Sequence, residues 1–213
     1  MNIHKIIEGS EAFRKEKFKK YQHRFKKLVR EGQNPKVLFI GCSDSRVLPN
    51  LITGTGPGDL FVIRNIGNFV APYKPDEDFH STAAAIEYAV SVLEVEDIIV
   101  CAHSHCGAIS ALFHPRKLEN PSLVHVKKWL SLGAKAKNFV TVHMPQDASQ
   151  EELQEATEKV SALLQLDNLM SYPVVRKRVE AGKLYLNAWH YDIENGEIAY
   201  YDSQQQDYLP LNG

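Results

Sequence analysis

The sequence predicts an α/β fold: a mostly parallel central β-sheet with an antiparallel edge strand, flanked by helices and preceded by a long N-terminal helix. Three observations predict it. Short continuous apolar runs, Val37–Ile40, Leu60–Ile63 and Ile98–Ala102, have the length and composition of buried strands. Stretches with apolar residues at spacings of three and four alternate with them, as the crossovers of parallel strands require. Near the end, Asn195-Gly196 is a strong hairpin signal.

Residues 11–31 read as an amphipathic helix. Phe13, Phe18, Tyr21, Phe25 and Leu28 form an aromatic stripe, Ser10 stands at the N-cap position, and Gly32 and Pro35 end it. Residues 1–35 carry ten basic side chains against four acidic ones. The regular stripe favours a helix packed on protein with a solvated basic face over one lying on a membrane or on nucleic acid. After Pro35, the strand Val37–Ile40 runs into Gly41-Cys42-Ser43-Asp44-Ser45-Arg46. The Gly-rich loop Thr53–Gly58 lacks the Lys-Ser/Thr ending of a phosphate loop, which argues against nucleotide binding. Leu60–Ile63 is the second strand and leads into Arg64-Asn65-Ile66-Gly67-Asn68.

Residues 80–94 read as a helix capped by Ser81 or Thr82 and packed through Ala85, Ile86, Ala89, Val90 and Leu93. The third strand ends in His103-Ser104-His105-Cys106-Gly107, which opens a further helix. Residues 122–137 and 150–170 are helical in pattern, the second with Leu153, Ala156, Val160 and Leu163 on one face. A short helix after Pro173 runs towards Gly182, a strand runs from Leu184 to Tyr191, and Glu197–Asp202 returns antiparallel. Residues 1–34 are then a helical arm, and 35–213 one α/β domain, without repeat or long linker.

Twenty-five Lys+Arg against 26 Asp+Glu leave a net charge of −1, which provides no bulk field for nucleic acid or an anionic membrane. The N-terminus shows no signal-peptide run, and no stretch reaches the roughly 18 apolar residues of a membrane span. Three cysteines, an odd number, argue against a disulfide framework. Together these predict a soluble cytoplasmic protein.

Two clusters end buried strands, Cys42-x-Asp44-x-Arg46 and His103-x-x-Cys106. The carboxyl edge of a parallel sheet is where such folds place their sites. Two thiolates, an imidazole and a carboxylate are donors that zinc prefers. The competing readings are a closed structural zinc knuckle or unrelated buried cysteines. Only three soft donors converge, however, and Asp44 has its own cation two residues on. That pattern predicts a carboxylate held off the metal and an open fourth position. Cys101, inside a strand, reads as a small core residue, and Trp189 and Tyr191 as packing residues.

Cys42-Ser43-Asp44-Ser45-Arg46 followed by His103-x-x-Cys106-Gly107 resembles the β-class carbonic anhydrases. So do Phe61–Asn68, Ala85–Val90, Asn168-Leu169 and Tyr172-Pro173, and the likeness spans roughly residues 30 to 202. Ala102 and Ala108 depart from the family's commonest pattern, each standing for a glycine. The resemblance implies reversible hydration of CO₂ to bicarbonate and a proton by zinc-bound hydroxide, with Cys42, His103 and Cys106 as ligands of Zn²⁺. It implies that Asp44 accepts a proton-bearing hydrogen bond and that Arg46 holds Asp44. Gln33, Phe61 and Tyr88 match cleft residues of the open, plant-like subgroup, and Gly107 joins them as a substrate-binding position. Phe39 stands where a bicarbonate-regulated subgroup has tryptophan. The resemblance further implies a homodimer or homotetramer with cleft residues shared across the interface. His105 is either a proton shuttle or a partly exposed histidine at a helix start. Carbonyl sulfide or carbon disulfide hydrolysis on the same fold, and a non-catalytic zinc- or bicarbonate-sensing role, stand as alternatives. The acidic segment 147–167 offers a surface for the basic first helix of a neighbouring subunit.

Overall fold

The computed structural model describes residues 2–76 and 78–211. Its centre is a six-stranded sheet in the order β2-β1-β3-β4-β5-β6. β1 (Val37–Cys42), β2 (Leu60–Asn65), β3 (Asp97–His103) and β4 (Tyr185–Tyr191) are parallel, whereas β5 (Ile198–Asp202) and β6 (Asp207–Pro210) run antiparallel. The Asn195-Gly196 hairpin pairs β5 with β4 as the sequence predicts, with Trp189 opposite Tyr200. The edge itself is β6, which the sequence reading does not include. Asp-Tyr-Leu-Pro has no apolar run to announce a strand, and its proline suits an edge position.

Alternate residues of the central strands serve opposite faces. Leu38 and Ile40 of β1 and Ile98, Val100 and Ala102 of β3 enter the main core. There they meet Ile86, Ala89 and Val90 of α4 (Ser81–Ser91), Ala162 and Leu169 of α8 (Gln150–Met170) and Val175 of α9 (Pro173–Glu180). Phe39, Ile99 and Cys101 form a smaller cluster on the other face, with Trp189, Tyr191 and Ile52 of α3 (Pro49–Ile52) against it. β1 leads to β2 on one side, and β2 crosses back to β3 on the other. The strand order therefore reverses between β1 and β3, and the carboxyl-end crevice at that point receives the ends of both.

Several elements differ in extent from their sequence patterns. The N-terminal helix begins at Ile3, as α1 (Ile3–Ala12), widens to a π-helical turn at Phe13–Lys17, and continues as α2 (Phe18–Glu31). Its N-cap is Asn2, whose Oδ1 accepts from Lys5 N at 3.3 Å, and Ser10 is internal. The π turn brings Phe13 onto Phe18, which stacks on Phe25 with ring centroids 5.5 Å apart. No side chain of this rod is buried. It touches the domain where Leu28 closes over Gly58 and Arg24 pairs with Asp59 and donates to Pro57 O.

α4 starts at Ser81 with no side-chain cap; the Thr82 hydroxyl instead accepts from Asn65 Nδ2 at 3.4 Å. The expected helix 122–137 is two helices, α6 (Val124–Leu130) and α7 (Ala134–His143), joined by a 3₁₀ turn at Ser131–Gly133. Gly133 lies so close to Phe69 and Leu112 that a Cβ there would fall 2.8 Å from each. That approach bends the chain around the Phe69 ring. α8 begins with the capping box Ser149/Glu152. Its innermost residues include Thr157, Glu158, Ser161 and Gln165, all polar, whereas Leu153, Ala156, Val160 and Leu163 are only half-buried.

Candidate metal centre

β1 and β3 lie side by side, so their last residues, Cys42 and His103, meet in the crevice between them. Beyond β1 the chain turns at once. Asp44 O accepts from Val47 N at 3.0 Å, and Val47 is fully buried as the turn's anchor. Arg64 secures this turn from β2: its Nε donates to Cys42 O (3.0 Å) and its Nη2 to Asp44 O (2.6 Å). Beyond β3 the backbone passes through His105 in the left-handed region, φ 57°, and Cys106 becomes the N-cap of α5 (Gly107–Phe113).

The donor atoms of Cys42, His103 and Cys106 all lie within 4.8 Å of one another, and all three residues are buried. His103 Nδ1 meets the Ser104 carbonyl at 2.9 Å, which fixes it as the N–H and leaves Nε2 as the lone-pair nitrogen. Nε2 is buried with no hydrogen-bond partner. An orphaned imidazole nitrogen beside two thiols, at a spacing one tetrahedral ion spans, fits a soft divalent cation. Cys42 Sγ also accepts from Asp44 N and Gly67 N, both at 3.4 Å, so its thiolate is already oriented.

Asp44 stands outside the triangle, turned to Arg46. Arg46 Nε donates to Oδ1 (2.9 Å) and Nη2 to Oδ2 (2.8 Å), a bidentate fork, and Arg46 N adds a third bond at 3.0 Å. Arg46 Nη2 also donates to His105 O at 3.1 Å, which ties the turn after β1 to the turn after β3. His105 thus contributes its carbonyl here. Its ring is exposed, 3.5 Å from Glu194 Oε1.

Electrostatics follow the geometry. Arg46 holds the Asp44 carboxyl far below the usual carboxylate range. The Cys106 thiol and the His103 ring beside it lower Cys42 to about 4 against the cost of its burial. The bond to Cys42, with burial, raises Cys106 well above the ordinary thiol value. Burial opposes the charged form of His103, but the neighbouring Cys42 sulfur raises it overall. Cys101 is pushed up to about 12 by burial alone and is an inert core thiol, as its place in β3 predicts.

Gly107 follows Cys106 directly, and a side chain there would meet nothing within 4 Å, so it borders open space beside the triangle. Gln33, Phe61 and Tyr88 are not brought to the site within one chain. Gln33 lies in the segment entering the N-terminal end of β1, and Phe61 pairs with Leu38 four residues before Cys42. Along a strand that separation is about 13 Å. Phe61 and Tyr88 do associate, with stacked rings 5.9 Å apart, but at the other end of the sheet. Ala102 and Ala108 are absorbed without distortion: Ala102 packs in the main core, and the Ala108 methyl occupies the space that Gly67 leaves by lacking a Cβ.

Three structural contributors carry no role in the sequence reading. Arg64 holds the first turn, and Trp129 Nε1 donates to Ile66 O at 2.7 Å, fixing the segment that supplies Gly67 N. Glu158 of α8 accepts from Cys106 N at 2.9 Å. The signal for Glu158 is a polar residue on the inward face of a helix, visible only once α8 is placed on β3 and β4.

A family model described as carbonic anhydrase matches residues 37–198. A carbonic anhydrase of Synechocystis sp. is 41% identical over 97% of this chain and 74% of its own length. One of Pseudomonas aeruginosa is 40% identical over 97% of this chain and 90% of its own length. The solved structure of the β-carbonic anhydrase CcaA superposes with a TM-score of 0.91 at 40% identity, covering 99% of this chain and 92% of that one. A tetrameric β-carbonic anhydrase of Sordaria macrospora superposes at 0.80 with 30% identity, over 93% of this chain and 95% of that one.

Proposed function

The chain belongs to the β-carbonic anhydrase family, and on that premise we propose that Cys42, His103 and Cys106 hold zinc, with Asp44 and Arg46 as the polar arm of the site. The reaction is the reversible hydration of CO₂ to bicarbonate and a proton. The observation that carries the residue assignment is the Asp44–Arg46 fork beside the buried donor triangle. Zinc, when bound, supplies the Lewis acidity that makes hydroxide available near neutral pH.

The chain's own residues set the direction of attack. An ionised carboxylate has about four acceptor positions and no donor. Three are taken by Arg46 Nε, Nη2 and N. A water or hydroxide beside Asp44 therefore donates its hydrogen to the remaining position, and its lone pair points away, towards the substrate carbon. Arg46 keeps Asp44 ionised and keeps it from turning into the triangle. Val47, Phe69, Ile109 and Leu130 pack behind the site as buried core and keep its donor-bearing turns in place.

Carbonyl sulfide or carbon disulfide hydrolysis and a sensing role are not favoured. The relatives are named carbonic anhydrases, and the fork that a non-catalytic protein would not need is intact. We assign Gln33, Phe61 and Tyr88 to the cleft of a second copy, in a homodimer or homotetramer working in the cytoplasm. What supports the assembly is the uncovered apolar surface of one chain: Ile3 is 62% exposed, Phe13 43% and Tyr88 44%. No helix among the described residues is long and apolar enough to cross a membrane.

The test is stopped-flow CO₂ hydration with metal analysis, before and after chelation. Zinc-dependent turnover, lost in Asp44→Ala while the metal is retained, is the expected result. Turnover that survives complete metal removal, or Asp44→Ala as active as the parent, overturns the assignment. A monodisperse monomer at micromolar concentration overturns the assembly.

A further inference from the structure

Beside the donor triangle, α8 presents a buried polar cluster. Glu158 is 1% exposed. Its Oε1 accepts from Cys106 N at 2.9 Å and from Gln154 Nε2 at 3.2 Å, and its Oε2 lies 3.2 Å from His190 Nε2. His190, itself buried, comes from β4, where it pairs with Ala102, next to His103 in β3. A carboxylate in so closed a place needs a reason. Among the described residues no backbone carbonyl takes the Cys106 amide, because Cys106 is the N-cap of α5, where the chain has left β3 and the helix has not begun its ladder. Glu158 supplies that acceptor.

We propose that Glu158 is a positioning residue for the metal centre: through the Cys106 amide it fixes the direction in which the Cys106 thiolate points. Cys42 Sγ is aimed by two backbone amides, those of Asp44 and Gly67. Cys106 caps α5 without a side-chain hydrogen bond, with the Ala108 and Ile109 amides only nearby, so the bond from its own amide to Glu158 is what fixes the rotation of its peptide. That peptide is held by one side chain, which is clamped by two others. The clamp has a physical purpose. On its far side Glu158 faces a cavity of about 570 Å³, lined also by Gln154, His190, Asp192 and Tyr208. Unclamped, the carboxylate has room to swing into that water-accessible space and release the amide. Gln154 and His190 keep it inward. The rim of the same cavity is net acidic, with Glu155, Glu194 and Glu197 against Lys159, which makes the outward position unfavourable for a further carboxylate.

The inference rests on Cys106 being a metal ligand, so its test reads the metal independently of turnover. The wild-type protein, Glu158→Leu and Glu158→Gln are loaded with cobalt(II), and the ligand-field and thiolate charge-transfer bands are recorded. Zinc release to a chromophoric chelator is timed on parallel zinc-loaded samples. Glu158→Leu removes the acceptor at similar volume. It is expected to shift the bands and to speed release by roughly 10–100-fold, the usual cost of losing a supporting hydrogen bond at a metal site. Glu158→Gln keeps an oxygen for the Cys106 amide and is expected to restore both readouts. A purely packing role predicts instead that Glu158→Leu, which keeps the volume and loses only the acceptor for the Cys106 amide, matches the wild-type protein in both readouts. Gln154→Leu is the second variant, because it removes half of the clamp and leaves Glu158 and both cysteines in place. It is expected to move the same readouts in the same direction by about twofold or more, whether or not Glu158→Leu folds. Wild-type spectra and release rates in Glu158→Leu or in Gln154→Leu overturn the positioning role. A wild-type protein that takes up neither metal overturns the metal-site assignment instead.

Discussion

Replacing Arg46 by Met retains most of the side-chain stem and removes the guanidinium. Two hydrogen bonds to Asp44, at 2.9 and 2.8 Å, and one to His105 O, at 3.1 Å, disappear, and Asp44 keeps only the Arg46 amide. Shielded charge-assisted bonds contribute about 1.5–3 kcal/mol each. The Arg46 side chain is 48% exposed, so solvent screening reduces each substantially. The surviving sum is about 1–2 kcal/mol, a factor of 5–30 in the preference of Asp44 for its outward position. Arg46→Met should therefore lower kcat/KM for CO₂ hydration by about 5–30-fold with metal content unchanged, because no metal donor is touched. Stopped-flow hydration on protein of measured zinc content is the assay. A fully loaded variant within about twofold of the parent would refute the reasoning, since the fork would then hold nothing that catalysis uses.

Three further outcomes follow from the same structure. Two thiolates and a neutral imidazole cancel the charge of a divalent ion, so the ion acidifies water less than in an all-histidine site and kcat/KM should climb towards alkaline pH; a flat profile from about pH 6 to about pH 9 contradicts this. Gly67→Ala should cost about 2–4 kcal/mol in thermal or urea unfolding, because its φ is +75° and the added Cβ would lie 2.9 Å from Ala108 Cβ and the Phe69 ring. Asp59 is held below its ordinary value by the Gly56 amide and then by Arg24. A depressed carboxylate stabilises above its unfolded value and loses that contribution as pH falls, so limited proteolysis of residues 3–31 should accelerate below about pH 4, and in Asp59→Asn at every pH.

The parts of this fold that the chain announces are those specified by local pattern. Val37–Ile40 and Ile98–Ala102 are continuous apolar runs because both faces of those strands are covered, whereas Leu60–Ile63 lies at the sheet edge and leaves Val62 exposed; each run ends where its polar cluster begins. The donor triangle of Cys42, His103 and Cys106 is legible for the same reason, since both of its halves terminate such strands. What escapes the pattern depends on tertiary partners. β6 is a strand because β5 offers an edge, and the turn at Ser131–Gly133 exists because Phe69 needs the space. The N-terminal helix starts earlier than expected because Ile3, Ile6 and Ile7 are too sparse to register as a stripe without Asn2 capping them. Glu158 shows the limit best. By composition it belongs to an acidic, solvated segment, yet it is almost wholly buried, because β4 places His190 and β3 delivers the Cys106 amide beside it. Gln33, Phe61 and Tyr88 are legible only as a resemblance, since within one chain Phe61 and Tyr88 stack on each other away from the donor triangle.

The bond from Arg46 to the His105 carbonyl joins two turns that lie 59 residues apart in sequence. Together with Arg64 on the Cys42 and Asp44 carbonyls, it gathers the donor-bearing segments by hydrogen bonds that involve no metal ligand's side chain. Folding alone therefore completes the ordering that a cation would otherwise have to impose. Metal uptake at a centre gathered in this way should be a simple bimolecular capture, first order in free ion; a slow conformational phase in stopped-flow mixing with zinc would contradict this.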